Sequence, residues 1–375
     1  MNRWVFLGVA VLQAILFLAH WFIYHTVIAF WPAWWPLSPE ADWTLRVALF
    51  LLSVSFILAA LLGFRISNGL VSSLYKIAAV WLGLLNFLFW AACVCWVTAV
   101  LLRLAPASAS VAARSWIGPS LFSLAFLTGL YGLLNARRIR ERRVTVTLPN
   151  LPLSWKGRTA MLVSDTHLGN INAAGFSRRI ANIVRRLNPA VLFIAGDLYD
   201  GSKADPARLA APLFELSLPL GVFFCGGNHE DIGDPAAYEA ALTHGGFRVL
   251  RNERVDVDGL QVIGVSYADT TYPAHLRSFL EGLHLGHGPA SVLLNHVPHR
   301  LPIVEQAGVS LQLSGHTHGG QMFPFTVVTR RAFGKFTYGL QRFGKLQVLT
   351  SSGVGTWGPP MRVGTNPEVV LITFA

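Results

Sequence analysis

The stretch Val191-Leu192-Phe193-Ile194-Ala195-Gly196-Asp197 decides how this chain is read. Five apolar residues of strand composition run into a glycine and then a carboxylate. A short apolar run closed by glycine reads as a buried strand. A strand that ends this way sets one negative charge at the carboxyl edge of a sheet, the edge where open α/β sheets bind ligands. One Gly-Asp pair carries little weight alone. Four further stretches end apolar runs in the same manner: Ser164-Asp165-Thr166-His167-Leu168-Gly169, Gly226-Gly227-Asn228-His229-Glu230, Asn295-His296-Val297-Pro298 and Gly315-His316-Thr317-His318-Gly319-Gly320.

Asp165 and His167 are two residues apart, so on an extended chain they project to one side and can grip one cation. The glycines of these stretches let backbone approach closely. All five stretches lack cysteine. Aspartate, asparagine and histidine together form a donor set that suits Mn, Fe or Zn and argues against a thiolate site. The three cysteines, Cys93, Cys95 and Cys225, have neither metal-finger nor redox spacing, and no disulfide framework is expected.

Around the opening stretch, strands and helices alternate. Residues 144–148, 159–164, 222–225, 254–257, 260–265, 291–294, 309–313, 346–350 and 368–373 read as further strands. Residues 174–187, 206–216, 235–244 and 302–307 read as helices; in the first, Phe176, Ile180, Ile183, Val184 and Leu187 share one face and Arg178, Arg179, Arg185 and Arg186 the other. Asp258-Gly259 between two strands signals a hairpin. This order predicts an α/β fold, a sandwich of two mixed β-sheets flanked by helices.

The chain has 375 residues, 53% of them apolar and only 13% charged, with a mean hydropathy of +0.48. The excess apolarity is localised. Residues 4–30, 45–64, 77–102 and 116–134 are long and apolar enough to span a bilayer, so an all-α four-helix transmembrane region precedes the sandwich. Residues 1–143 hold three acids, Glu40, Asp42 and Glu141, against eleven bases, leaving +8 of the total +11. Because the charge flanks the spans, no nucleic-acid partner is expected. The first loop carries Glu40 and Asp42 and no base, the second Arg65 and Lys76, and the fourth span is followed by five arginines within residues 137–143. Positive residues stay inside. The expected arrangement is a multi-pass membrane protein with both termini inside and the C-terminal domain on the cytoplasmic face; with the resemblance given below, that is the inner membrane and a catalytic domain. The bilayer is the first partner, and the arginine block reads as a topology determinant, as a grip on anionic headgroups, or as both. Domains are expected at 1–136 (four helices), 137–150 (Arg-rich linker and first strand) and 151–375. His20 and His25 lie near the outer end of the first span and are read as reaching the interface.

Taken in order, Asp165-x-His167, Gly196-Asp197-x-x-Asp200, Gly227-Asn228-His229-Glu230, His296 and Gly315-His316-x-His318 resemble the motif set of the calcineurin-like metallophosphoesterase superfamily. Gly319-Gly320-Gln321 and the tail Gly353-Val354-Gly355…Pro360-Met361-Arg362…Pro367-Glu368 make the chain similar to its membrane-anchored bacterial branch, linked by similarity to UDP-2,3-diacylglucosamine pyrophosphatases. The resemblance covers residues 144–375. It implies that Asp165, His167, Asp197 and His318 hold one divalent metal, that Asp197, Asn228, His296 and His316 hold a second, and that Asp197 bridges them. The pair would be manganese, with iron or zinc as alternatives. His229 would protonate the leaving oxygen as a hydroxide bridging the metals attacks in line, with Asp200 and Glu230 orienting His229 and the ligands. The substrate implied is a phosphodiester, phosphomonoester or pyrophosphate, with a lipid-linked one among the candidates. A histidine at 229, where the soluble pyrophosphatases of that pathway carry arginine, fits a poorer leaving group. The segment 323–343 interleaves Phe325, Phe333, Phe336, Tyr338 and Phe343 with Arg330, Arg331, Lys335 and Arg342, either as a contact for headgroups or as an ordinary packed loop. Two other classes stay open on residues alone. One is a membrane receptor or scaffold that binds phosphate ligands without turnover. The other is a four-helix transporter, which the lack of Asp and Glu inside the spans argues against.

Overall fold

The structure, a computed structural model, describes residues 3–32, 34–104 and 107–375. The chain divides into two compact units, one of residues 1–134 with 358–361 and one of residues 135–357 with 362–375. The first unit contains α1 (Arg3–Ala29), α2 (Pro39–Gly63), α3 (Gly69–Leu101) and α4 (Ala107–Ala136, whose last two residues fall in the second unit). All four are long and apolar enough to cross a membrane. Local chemistry sets where they start: Ser38 Oγ accepts from the Ala41 N–H at 3.2 Å ahead of α2, and Asn68 Oδ1 from the Val71 N–H at 2.9 Å ahead of α3. Polar groups within the unit find each other, since an unpaired one is costly away from water. Trp81 Nε1 donates to His20 Nε2 at 2.9 Å and Trp96 Nε1 to Thr26 Oγ1 at 2.8 Å. His20 is buried and hydrogen-bonded within the unit.

The second unit follows with β1 (Arg140–Val146), β2 (Thr159–Val163), α5 (Ala174–Leu187), β3 (Val191–Ala195), α6 (Pro206–Phe214), β4 (Val222–Cys225), α7 (Asn228–Ile232), α8 (Pro235–His244) and β5 (Arg248–Val249). It continues with β6 (Glu253–Val257), β7 (Leu260–Gly264), α9 (Tyr267–Thr271), α10 (Pro273–Glu281), β8 (Ser291–Leu294), α11 (Leu301–Gln306) and β9 (Leu311–Ser314). It closes with α12 (Phe325–Phe333), β10 (Gly339–Phe343), β11 (Leu346–Thr350) and β12 (Glu368–Phe374).

Two six-stranded mixed sheets result, in the orders β1-β12-β2-β3-β4-β5 and β10-β11-β9-β8-β7-β6. β2, β3 and β4 run parallel, as do β7, β8, β9 and β11, while β12 is antiparallel to β2 and the outer pairs β6–β7 and β10–β11 are antiparallel. The inner faces meet in one core that includes Leu162, Phe193, Val262, Leu294, Leu313 and Ile372. The outer face of the first sheet is covered through Ile180, Val184, Leu209 and Leu242, and that of the second through Leu276, Leu280 and Val304. This is the expected mixed sandwich flanked by helices. The first strand begins at Arg140 rather than near Val144. It starts early because Arg140–Val146 pairs in parallel with Glu368–Phe374, a partner remote in sequence. One arginine of this strand is engaged locally: Arg142 lies over the Tyr338 ring at 4.6 Å and 3.9 Å from Glu368.

Candidate metal centre

β2, β3 and β4 are parallel, so their carboxyl ends share one edge, and β8 and β9 end together in the second sheet. The loops after these five strands carry the five sequence motifs, and hydrogen bonds stitch them together. The His167 N–H donates to the Asp197 carbonyl at 3.0 Å, and the Asp165 N–H to the Gly196 carbonyl at 3.1 Å. The Gly315 N–H donates to the His296 carbonyl at 2.9 Å, and the His316 N–H to both Asp165 carboxylate oxygens at 2.9 and 3.1 Å. Two glycines let carboxylates come this close. A Cβ on Gly227 would lie 2.2 Å from Asp197 Oδ1, and one on Gly315 would lie 2.2 Å from Asp165 Oδ2.

Asp165, His167, Asp197, His316 and His318 all have left-handed backbone, with φ of 53°, 49°, 51°, 68° and 49°. Non-glycine residues hold this region only where the surroundings over-determine it, typically at functional sites. Each kink turns a strand end inward.

The side chains form three overlapping groups whose ligand atoms lie within 4.8 Å of one another: Asp165 with His167 and His318, His167 with Asp197 and His229, and Asp197 with His296 and His316. His167 Nε2 and His318 Nε2 are 3.0 Å apart, and His318 Nε2 is 3.5 Å from Asp165 Oδ1. On the other side, His296 Nε2 is 3.1 Å from Asp197 Oδ2, and His316 Nδ1 is 3.0 Å from Asn228 Oδ1. Asp197 faces both groups, with its Oδ2 also 3.8 Å from His167 Nε2.

The site fits a pair of cations. His296 donates from Nδ1 to the Ala195 carbonyl at 2.8 Å. This fixes its Nε2 as the donor atom facing Asp197, a buried nitrogen with no well-aligned hydrogen bond. Burial pulls the His167 imidazole down to about 3 and His316 to about 4. Burial also lowers His318 well below its usual value. All three are thus neutral near pH 7, the form a metal needs. Burial pushes the Asp165 carboxyl up to about 6. At Asp197 and His296, burial acts against the charged forms, but each outweighs it for the other: Asp197 is held well below the usual carboxylate range and His296 is pushed up to about 10. An imidazolium beside a buried carboxylate is the arrangement expected where a cation belongs.

His229 begins α7. Its backbone N–H donates to Asp197 Oδ1 at 2.9 Å, and its Nδ1 meets the backbone carbonyl of Asp200 at 3.0 Å, which leaves Nε2 free. Its ring stands edge-on to His167, centroids 4.6 Å apart. Asp200 thus positions His229 through its backbone, while its carboxylate accepts from the Asn170 and Ser202 N–H groups at 2.9 and 2.8 Å. The Glu230 carboxylate accepts from the N–H groups of Asp197 (2.9 Å), Tyr199 (2.9 Å) and Gly227 (2.7 Å), clamping two loops. Burial pushes it up to about 7.

Sequence reasoning singled out no role for Arg362. Its guanidinium is fully buried, donates to the His318 carbonyl at 2.8 Å and to the Gly355 carbonyl at 2.5 Å, and lies 3.1 Å from His318 Nδ1. It fixes the plane of the His318 ring. The only signal was its place in the Pro360-Met361-Arg362 tail. Three rings rim the site: Trp357 at 6.3 Å from His229, Tyr267 at 6.3 Å from His296 and Phe333 at 6.0 Å from His316, between centroids.

The calcineurin-like phosphoesterase profile matches residues 159–320. A Danio rerio relative described as a "Transmembrane protein with metallophosphoesterase domain" is 30% identical over 360 residues, covering 90% of this chain and 82% of the relative. An Aquifex aeolicus relative described as an "Uncharacterized metallophosphoesterase" is 34% identical over 258 residues, covering 67% of this chain and 97% of the relative.

Proposed function

The chain belongs to the calcineurin-like phosphoesterase family and is a metal-dependent phosphoric ester hydrolase, and from that premise we propose a membrane-tethered enzyme that holds two divalent cations and acts on a lipid-linked phosphoester. The observation that carries the reading is Asp197, a buried carboxylate facing a ligand group on each side.

Asp165, His167, Asp197 and His318 hold one cation in this reading, and Asp197, Asn228, His296 and His316 the other. When bound, the pair supplies a nucleophile from water near neutral pH and neutralises charge on the phosphoryl oxygens. Manganese suits the nitrogen and oxygen donors, as do iron and zinc. The chain's own residues do the rest. Asp197 is held by the Glu230-clamped loop and by the His229 backbone, so acid and bridging carboxylate keep one register. His229, its Nδ1 tied to the Asp200 carbonyl, presents Nε2 to give a proton to the leaving oxygen. That role suits an alkoxide leaving group, so a phosphodiester or phosphomonoester is preferred to the nucleotide-lipid pyrophosphate of the UDP-diacylglucosamine pathway. Residues 1–136 serve as the membrane anchor, 137–150 as linker and first strand, and 151–375 as the catalytic domain. The arginines at 137–143 support an inner-membrane protein with its catalytic domain on the cytoplasmic side.

The test is hydrolysis by the full chain of bis-p-nitrophenyl phosphate and of a panel of phospholipid, nucleotide-lipid and cyclic-nucleotide substrates, with metal content measured in parallel. Two metal ions per chain with turnover of a lipid phosphoester is the expected result. Metal-loaded protein inert across the panel would instead indicate a phosphate-binding scaffold.

A further inference from the structure

We propose that α12 is a docking surface for an anionic lipid bilayer. In most surface helices the apolar residues face the domain and the polar ones face solvent. In α12 the first two turns depart from this order, with their apolar residues outward and their threonines half-buried. No residue of the helix is buried. Phe325, Val327 and Val328 are 51%, 43% and 59% exposed, and Phe323 just before the helix is 46% exposed. The half-buried positions are Thr326, Thr329 and Phe333. At helical spacing, Val327, Val328 and Arg331 share the outward side.

The occupant is identified by charge. Arg330, Arg331 and Lys335 stand at or just beyond the end of the exposed apolar run, and the chain has no Asp or Glu between Glu305 and Glu368. Apolar side chains to enter the acyl boundary, with bases of a single sign at headgroup level, are what an interfacial helix requires. The chain also carries four helices of bilayer length. The helix is mechanically close to the metal centre: its final residue, Phe333, sets its ring 6.0 Å from that of His316, and its first turn presses on the turn after His318, where a Cβ on Gly320 would lie 2.4 Å from the Phe325 carbonyl oxygen. The inference goes beyond the catalytic reading and stands whether or not the substrate is a lipid.

The experiment uses the full chain reconstituted in vesicles of phosphatidylcholine alone or mixed with phosphatidylglycerol. A Val328→Cys variant carries an environment-sensitive fluorophore, a Thr243→Cys variant on the exposed side of α8 serves as control, and labelled wild-type chain supplies the blank for the native thiols. A far-ultraviolet circular dichroism spectrum and a thermal transition matching those of the wild-type chain verify that each variant folds. The expected result at 328 is blue-shifted emission, quenched several-fold more than at 243 by nitroxide fixed to the lipid chains. The quenching should be stronger with phosphatidylglycerol and should fall in an Arg330→Glu/Arg331→Glu background. Emission at 328 as solvent-exposed as at 243 in both lipids overturns the proposal. A blue shift without quenching from the lipid also overturns it, because the helix would then be covered by protein.

Discussion

Asp197 is gripped at three points. Its N–H donates to Glu230, its Oδ1 accepts from the His229 N–H, and its Oδ2 faces His296. Asp197→Asn keeps the shape but removes the charge both ligand groups depend on. Metal content should drop below one ion per chain by elemental analysis, and kcat should fall by about 100-fold or more. A second prediction concerns pH. In the metal-free chain His296 titrates at about 10 and so carries a proton near neutrality, which a cation taking Nε2 must displace. Metal affinity should therefore rise with pH, by about tenfold per pH unit above about pH 7. Below about pH 6 the dependence should steepen, because Asp165, pushed up to about 6, then holds a proton as well. Chelator-competition titrations measure both slopes, and a flat profile would remove the proton from the account. Replacing Arg362 by Met should weaken metal binding by about 10-fold or more in the same assay, since it frees the His318 ring. At this scale the ligand types were legible in the sequence because chemistry dictates them. Arg362 was not, because only the folded tail shows that its charge is buried.

At the scale of elements, the site depends on kinked loops that let two sheets meet. Gly227→Ala should push the Asp197 carboxylate aside, since the new Cβ would fall 2.2 Å from Oδ1. The expected outcome is a loss of about 100-fold in kcat with an unchanged far-ultraviolet circular dichroism spectrum. The short parallel strands were readable from their apolar runs. The helices α7, α9, α10 and α12 were not, for different reasons. α9 has five residues and owes its start to Ser266, whose hydroxyl accepts from the Asp269 N–H, so it has no length over which a period can show. α12 turns Phe325, Val327 and Val328 outward, so it has no continuous buried stripe at helical spacing. The early start of β1 followed from a distant partner rather than from its own arginine-rich sequence.

At the scale of the molecule, the metal centre lies within one of two compact units. Calorimetry of the full chain should show that removing metal lowers the transition of that unit by about 5–10 °C, the effect of losing a tightly held ligand, and leaves the transition of the helical unit in place. The same shift in both transitions would mean that the two melt as one. The order of the first sheet has a consequence for the chain while it is being made. β12 lies between β1 and β2, so Arg140 stays without its partner until Glu368 has been translated. Until then β2 has no neighbour on that side, and Gly353, packed so closely that an added Cβ would fall 2.6 Å from the Asp165 Cβ, lacks the Glu368 N–H that donates to its carbonyl at 3.0 Å. A chain that stops anywhere before the Pro367-Glu368 segment therefore lacks the strand that joins β1 to β2, so the sheet that carries Asp165 and Asp197 is completed only by the last strand to be made.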